Sequence, residues 1–171
     1  EVFRFELAYQ VRRIWPWLIF AALLVFAYLF TREGSLSDAL YGDFFLNSPF
    51  VIVGATVTAS LIWLLVAGVI AGESGARDVA TGVYPLTYTA PVSKSAYLGG
   101  QFLAAFVLNA LILLAVPAAN LLAVTVPGVH PDVVGPFRPA AYLTAYAFIA
   151  LPNAFLATAV QFSLAAWIGR P

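Results

Sequence analysis

Cysteine and methionine are absent from the sequence, and a single histidine, His130, is present. The absence of cysteine excludes both a disulfide framework and a thiolate metal site. His130 and the nearby Asp132 offer only two candidate ligands, whereas a protein-bound metal ion needs three or four. We therefore interpret His130 as a loop residue exposed to solvent, and we predict no metal or other cofactor.

Charge is also scarce, at 9% of 171 residues, and the formal net charge is zero. Soluble domains carry about 25% charged residues, and a soluble fold with this hydrophobic content would expose large apolar patches. No charged residue occurs from Phe44 to Gly72 or from Ser95 to Val129, and each stretch exceeds the roughly 20 residues that cross a bilayer. The composition therefore predicts an all-α, polytopic helix bundle in the cell membrane, and it gives no indication of nucleic-acid binding.

The apolar stretches predict four transmembrane helices, at residues 14–30, 49–71, 98–120 and 139–168. The segment before them, residues 1–13, places Phe3, Leu7 and Val11 at helical spacing, which favours an interfacial helix. The alternative is a basic flank that only sets orientation. We expect Pro117 to bend the third span and a tilt or a kink at Pro152 to accommodate the fourth.

Three polar connections separate the spans. Residues 31–48 hold a possible short surface helix, residues 72–97 mix charge with glycine and proline, and residues 121–138 are rich in proline and glycine. The last of these predicts an ordered surface loop. The chain has no initial methionine and stops at Pro171 directly after an apolar run, which indicates a segment of a longer protein.

Basic residues are distributed unequally between the two sides of the predicted bundle. With four spans, the N-terminal segment, the 72–97 loop and the C-terminal end share one side, which carries six basic residues against two on the other. An excess of lysine and arginine marks the cytoplasmic side. We therefore predict that both ends and the 72–97 loop are cytoplasmic. The six are Arg4, Arg12, Arg13, Arg77, Lys94 and Arg170, and the two are Arg32 and Arg138.

The residues that catalysis needs are missing from the spans. A nucleotide-binding loop of the form G-x-x-x-x-G-K-[ST] is absent, because the only lysine, Lys94, follows a serine. Serines and threonines inside the spans have no histidine, lysine or carboxylate beside them to act as a base. We expect these hydroxyl groups to bond helix carbonyls, and we predict that the chain is not an enzyme.

Four amide side chains lie at membrane depth and have two interpretations. They either line a substrate pathway or join neighbouring helices by hydrogen bonds, and the second interpretation is the simpler one. The residues are Asn109, Asn120, Asn153 and Gln161.

The most distinctive segment is residues 72–103, GESGARDVATGVYPLTYTAPVSKSAYLGGQFL. A charged stretch and a glycine precede a small residue, Pro-Val-Ser and a basic residue, and a Tyr-Leu-Gly pattern then opens the next span. This succession resembles the first cytoplasmic loop of ABC-2-type permeases, the membrane subunits of ABC transporters. The chain as a whole also resembles the permease portion of bacterial proteins that carry an M1-aminopeptidase-like domain.

The resemblance implies that residues 72–97 form a coupling loop that docks on a separate ATP-binding subunit. It also implies a second permease half or a homodimer partner, and two further spans, because this family usually has six. Pro85 departs from the family pattern, which often has an acidic residue there. The alternatives are an inert connector and a membrane anchor for an appended catalytic domain without transport activity. The implied partner-binding residues are Glu73, Arg77, Asp78, Thr81, Gly82, Tyr84, Pro85, Leu86, Pro91 and Lys94.

Overall fold

The computed structural model describes residues 1–34, 44–80, 93–129 and 131–168, and within these ranges the regular elements are all helices, without any strand. The all-α bundle predicted from composition is therefore confirmed. We number the α-helices in chain order. They are α1 (Val2–Val11), α2 (Ile14–Leu29), α3 (Pro49–Ala80), α4 (Lys94–Leu113), α5 (Ala115–Thr125), α6 (Pro139–Ala145) and α7 (Leu151–Ile168). Helix α2 continues into a π-helical turn, Phe30–Gly34, and a second π-helical turn, Tyr146–Ala150, joins α6 to α7.

Four segments of the described chain are long and apolar enough to cross a membrane, which makes this a membrane protein. Each segment overlaps one of the four predicted spans. The first corresponds closely to the predicted range, and the third is longer at both ends. The segments are Ile14–Glu33, Pro49–Gly68, Lys94–Thr125 and Pro139–Trp167.

Helix α3 differs from the predicted span in its length. The apolar stretch ends near residue 71, but the helix continues to Ala80 through charged residues. Glutamate, alanine and arginine all favour helix, so the end of an apolar run need not be the end of the helix. On the other side of the connection, α4 begins at Lys94 rather than at residue 98, because the Ser93 hydroxyl accepts a hydrogen bond from the Ala96 amide and caps it.

Proline residues mark the irregular points of the long helices. A proline ring collides with the carbonyl four residues earlier, which for Pro117 is that of Leu113. Helix α4 ends at that residue, and the Leu114 amide donates to the Leu111 carbonyl, 3.2 Å away, in a tighter turn. The break between α4 and α5 therefore lies where the sequence led us to expect an effect of Pro117. For Pro152 the residue four positions earlier is Phe148, which lies in the second π-helical turn.

The core lies where α3 and α7 pack along each other, with α4 beside both. Small side chains such as Ala59, Ala67, Ala154 and Ala157 are buried there and let the helix backbones approach closely. Trp63 is the largest fully buried side chain of the described residues. Large apolar side chains such as Leu65, 85% exposed, point outwards instead, as expected for a surface that lipid covers.

The segment that follows α5 is ordered by contacts with the chain before α3. The Asn47 side chain donates to the Gly135 carbonyl and accepts from the Gly135 amide, both at 2.8 Å. The Leu46 amide donates to the Val133 carbonyl at 2.8 Å. These bonds hold Val133 and Gly135 against residues 46 and 47, and α5 occupies the beginning of the range predicted as a loop.

Candidate functional site

The candidate site is the end of the bundle that carries α1, residues 71–80 of α3 and the first turn of α4, which we call the α1 end. Helix α1 packs against the beginning of α4. Their contact is close at Gly100, where an added Cβ would lie 2.9 Å from Val2 Cγ1 and 3.2 Å from the Phe3 backbone nitrogen. Glycine at this position therefore sets the distance between the two helices.

Helix α1 is a packed element of the fold. Leu7 and Val11 pack against the main core, whereas Phe5 is 69% exposed. The indole nitrogen of Trp17, in α2, donates to the Val11 carbonyl at 2.8 Å and ties the end of α1 to the first span. The Arg13 guanidinium lies 4.8 Å from the centre of the Tyr9 ring. The helix expected at residues 1–13 is thus present, and its exposed aromatic residues suit a membrane interface.

Glu6 is a feature that sequence reasoning missed. Its side chain is 1% exposed and accepts a hydrogen bond from Gln10 Nε2 at 2.8 Å. Glu6 and Gln10 are four residues apart, so they share a helical face, and this spacing was the available signal. A groove of about 270 Å³ beside them is lined by Glu1, Val2, Phe5, Glu6, Tyr97 and Gln101.

The residues predicted to bind a partner fall into two groups. Glu73, Arg77 and Asp78 lie in the last turns of α3, and Lys94 is the first residue of α4. Because α3 runs towards the α1 end and α4 starts there, the structure brings these two helix ends and α1 to the same end of the bundle. The remaining predicted residues lie outside the described residues; they are Thr81, Gly82, Tyr84, Pro85, Leu86 and Pro91.

The charged residues of the described chain separate to the two ends of the bundle. The opposite end, which we call the Arg32 end, consists of residues 30–34, 44–48, 126–129 and 131–138. There the Arg32 guanidinium donates to the carbonyls of Val126 and Pro127, at 3.2 and 2.9 Å, next to the last turn of α5. Between the two ends the helices carry amides and hydroxyls as their polar groups. This distribution is typical of a bundle whose middle lies in lipid.

The amide residues predicted at membrane depth are distributed over three helices. Asn109 Nδ2 donates to Thr158 Oγ1 at 2.8 Å and joins α4 to α7. Gln161 Nε2 donates to the Leu64 carbonyl at 2.8 Å and joins α7 to α3. Asn120 Oδ1 accepts from Thr31 Oγ1 at 2.6 Å and joins α5 to the π-helical turn after α2. Each of these bonds connects two helices.

Asn153, whose side chain is half-buried like that of Gln161, differs from the other three because it forms no such bond between helices within the described residues. Thr158, the partner of Asn109, lies three residues before Gln161 in α7. Asn120 instead pairs with Thr31, at the Arg32 end. The four residues are therefore not gathered along one helix face.

The hydroxyl groups in the spans behave as expected. Thr56 donates to the Ile52 carbonyl at 2.7 Å, Ser60 to the Thr56 carbonyl at 2.6 Å, and Thr158 to the Ala154 carbonyl at 2.7 Å. Bonds to a carbonyl four residues earlier satisfy a hydroxyl within its own helix. Within the described ranges, no group of three or more metal-ligating side chains occurs, and His130 lies outside them.

These observations define the class of the molecule: an all-α membrane protein with four candidate spans and an additional N-terminal helix packed at one end. Comparison with family models, with curated proteins and with solved structures finds no match for this chain.

Proposed function

We propose that this chain is part of the membrane-spanning permease subunit of an ABC-2-type exporter, in which a separate subunit hydrolyses ATP. The observation that carries the proposal is the convergence of α1, the last turns of α3 and the start of α4 at one end of the bundle. These helix ends flank the segment that resembles the coupling loop of that family. In this proposal the α1 end is cytoplasmic.

The extension of α3 supports a mechanical role for the α1 end. The apolar stretch of α3 ends near residue 71 and the helix ends at Ala80, nine residues later, which is about 14 Å of additional helix. A helix transmits displacement along its axis better than an irregular loop does. Docking of a partner at the end of α3 would therefore move a helix that packs against α4 and α7 in the core.

The proposed route of coupling follows from this packing. ATP-driven closure of two nucleotide-binding subunits would shift the α1 ends of α3 and α4, and α7 would follow because Gln161 bonds the Leu64 carbonyl of α3. Two permease halves, or two copies of this subunit, would enclose the substrate pathway. ATP hydrolysis belongs to the partner, so no catalytic residue is assigned to this chain.

Charge introduced into the proposed docking segment tests the function. We expect Tyr84→Asp and Leu86→Asp to abolish stimulation of the partner's ATPase by the permease, because aromatic and aliphatic anchors dominate protein interfaces. The measurement is ATP hydrolysis by the reconstituted complex. Phe137→Asp is the matched control, since Phe137 is exposed at the Arg32 end. Unchanged coupling in both loop variants would contradict the proposal and favour a membrane anchor for an appended catalytic domain.

The orientation is tested separately by cysteine labelling, because the natural sequence contains no cysteine. A single cysteine at Thr81 should react with an impermeant maleimide only from the cytoplasmic side, and one at Phe137 only from the other side. The reverse pattern would place the α1 end outside the cell, where no ATP-binding subunit reaches it. That result would overturn the proposed function.

A further inference from the structure

The most unusual feature of the core is a group of buried polar atoms without partners, at the place where α3, α4 and α7 meet. Asn109 Oδ1 and Gln161 Oε1 accept no hydrogen bond, and Trp63 Nε1 donates none, to any group in the described part of the chain. Asn109 and Trp63 are 0% and 1% exposed. Buried polar atoms normally have partners, and they need them most in a low-dielectric interior.

The residues that carry these atoms lie at a similar depth in the bundle. Asn109 bonds Thr158, and Gln161 is three residues further along α7, about 5–6 Å away on the same face. Gln161 in turn bonds the Leu64 carbonyl, next to Trp63 in the chain. Trp63 also shares the core cluster with Leu108 and Ile112, which lie on either side of Asn109 in α4. We call Trp63, Asn109, Thr158 and Gln161 the polar layer.

The chemistry of the layer selects the kind of ligand it would bind. Two amide oxygens are acceptors and the indole nitrogen is a donor, so the ligands that satisfy the layer must include both hydrogen-bond donors and acceptors, which water supplies in one molecule. A cation would face the indole N–H, and an anion would face two carbonyl oxygens. No charged side chain of the described spans lies near the layer to compensate either ion. The layer is therefore suited to a neutral hydroxyl-bearing ligand, of which water is the smallest.

We propose that the polar layer is an internal hydration site, which binds water between α3, α4 and α7 in the apolar middle of the bundle. The amides of Asn109 and Gln161 each use their nitrogen to join two helices and their oxygen to bind water. Gly68 lies directly beside Gln161, because a Cβ there would be 3.4 Å from Gln161 Cδ, an ordinary contact distance. The inference is independent of the proposed docking at the α1 end.

Radiolytic footprinting in ¹⁸O-labelled water tests the site, because hydroxyl radicals formed from bound water oxidise the side chains beside it. The protein is irradiated in detergent without added solute, and oxidation of each residue is followed by mass spectrometry. We expect Trp63 to acquire the label despite its burial. Phe162 is also buried, at 7% exposure, but its ring packs against that of Phe102, and it should stay at background. Labelling of Trp63 at the background of Phe162 would overturn the proposal.

Substitutions connect the label to the amide oxygens. Gln161→Leu and Asn109→Leu should each reduce oxidation of Trp63 to the background of Phe162. The matched control is Thr144→Val, which removes a hydroxyl that is exposed and bonds the Ala140 carbonyl of its own helix at 2.7 Å. This control should leave Trp63 oxidation unchanged. Equal Trp63 oxidation in the wild type and in Gln161→Leu would also overturn the proposal. If Asn109→Leu fails to fold, the wild-type comparison of Trp63 with Phe162 still tests the proposal.

Discussion

At the scale of single residues, two adjacent glycines of α4 have different surroundings. A Cβ at Gly100 would lie 2.9 and 3.0 Å from Val2 side-chain atoms and 3.2 Å from a backbone nitrogen of α1. A Cβ at Gly99 would have no atom within 4 Å. The sequence alone does not show which of the two glycines contacts α1. The difference offers a matched test of how α1 is held.

We predict that Gly100→Ala displaces α1, since the backbone of Phe3 cannot yield as a flexible side chain would. Gly99→Ala should instead be neutral or stabilise the helix by up to about 1 kcal/mol, because alanine favours helix over glycine. A cysteine replacing Leu7, which is half-buried against the core, reports the displacement through its rate of maleimide labelling. The rate should rise in Gly100→Ala only. Equal rates in both variants would show that α1 is held by other contacts.

Glu6 shows the limit of residue-level prediction in this chain. An acidic residue in a short basic flank is ordinarily solvated, yet Glu6 is buried and bonded to Gln10. Its burial depends on α4, a helix that begins 88 residues later, at Lys94. The partner of Asn109 is likewise distant, because Thr158 lies 49 residues away. Hydropathy indicates that Asn109 lies at membrane depth, but the burial of Glu6 and the pairing of Asn109 depend on how distant helices pack.

At the scale of elements, hydropathy located the spans but did not locate the ends of the helices. The apolar runs predicted all four spans because crossing a bilayer requires a minimum length. No such requirement stops a helix at the membrane surface, so α3 passes residue 71 and ends at Ala80. Pro117 was a better signal, because its ring acts directly on the local backbone. The π-helical turn before Pro152 had no comparable signature, since a tilt or a simple kink would also fit the sequence.

Arg32 caps the C-terminal end of α5, although it lies in the π-helical turn after α2. Its guanidinium donates to the carbonyls of Ala123, in α5, and of Val126 and Pro127, directly after it, at 3.4, 3.2 and 2.9 Å. The last carbonyls of a helix have no partners within the helix. The negative end of the helix dipole adds to the attraction. The sequence identified Arg32 only as a basic residue of the connection at 31–48.

We predict that Arg32→Leu destabilises the protein by about 1–2 kcal/mol, because hydrogen bonds to charged groups exceed neutral ones in strength. The corresponding fall in Tm is roughly 2–8 °C for a domain of this size. Arg32→Lys should recover part of the loss, since an ammonium group keeps the charge but not the fork of donors. Thermal unfolding in detergent measures both. A Tm for Arg32→Leu equal to that of the wild type would mean that these bonds exchange with water at no cost.

At the scale of the whole molecule, the apolar exterior is what distinguishes a bundle in lipid from one in water. Leu156 and Trp167 are both exposed, at 58% and 85%, and both lie on α7. Leu156 lies near the middle of the span Pro139–Trp167, whereas Trp167 is its last residue. In water, an exposed position accepts arginine wherever it lies along a helix. In a bilayer the cost of the same charge depends on depth.

We therefore predict that Leu156→Arg impairs membrane insertion and Trp167→Arg does not. Arginine near the centre of a span costs about 2.5–3.5 kcal/mol on insertion scales, whereas a long side chain at the end extends to the interface and keeps its charge hydrated. The fraction of protein recovered in carbonate-washed membranes measures the difference. The two positions share one helix and both are exposed, so a general loss of helix stability would affect them alike. Equal recovery of both variants would mean that depth along α7 has no energetic consequence, and the assignment of this helix as a membrane span would then be wrong.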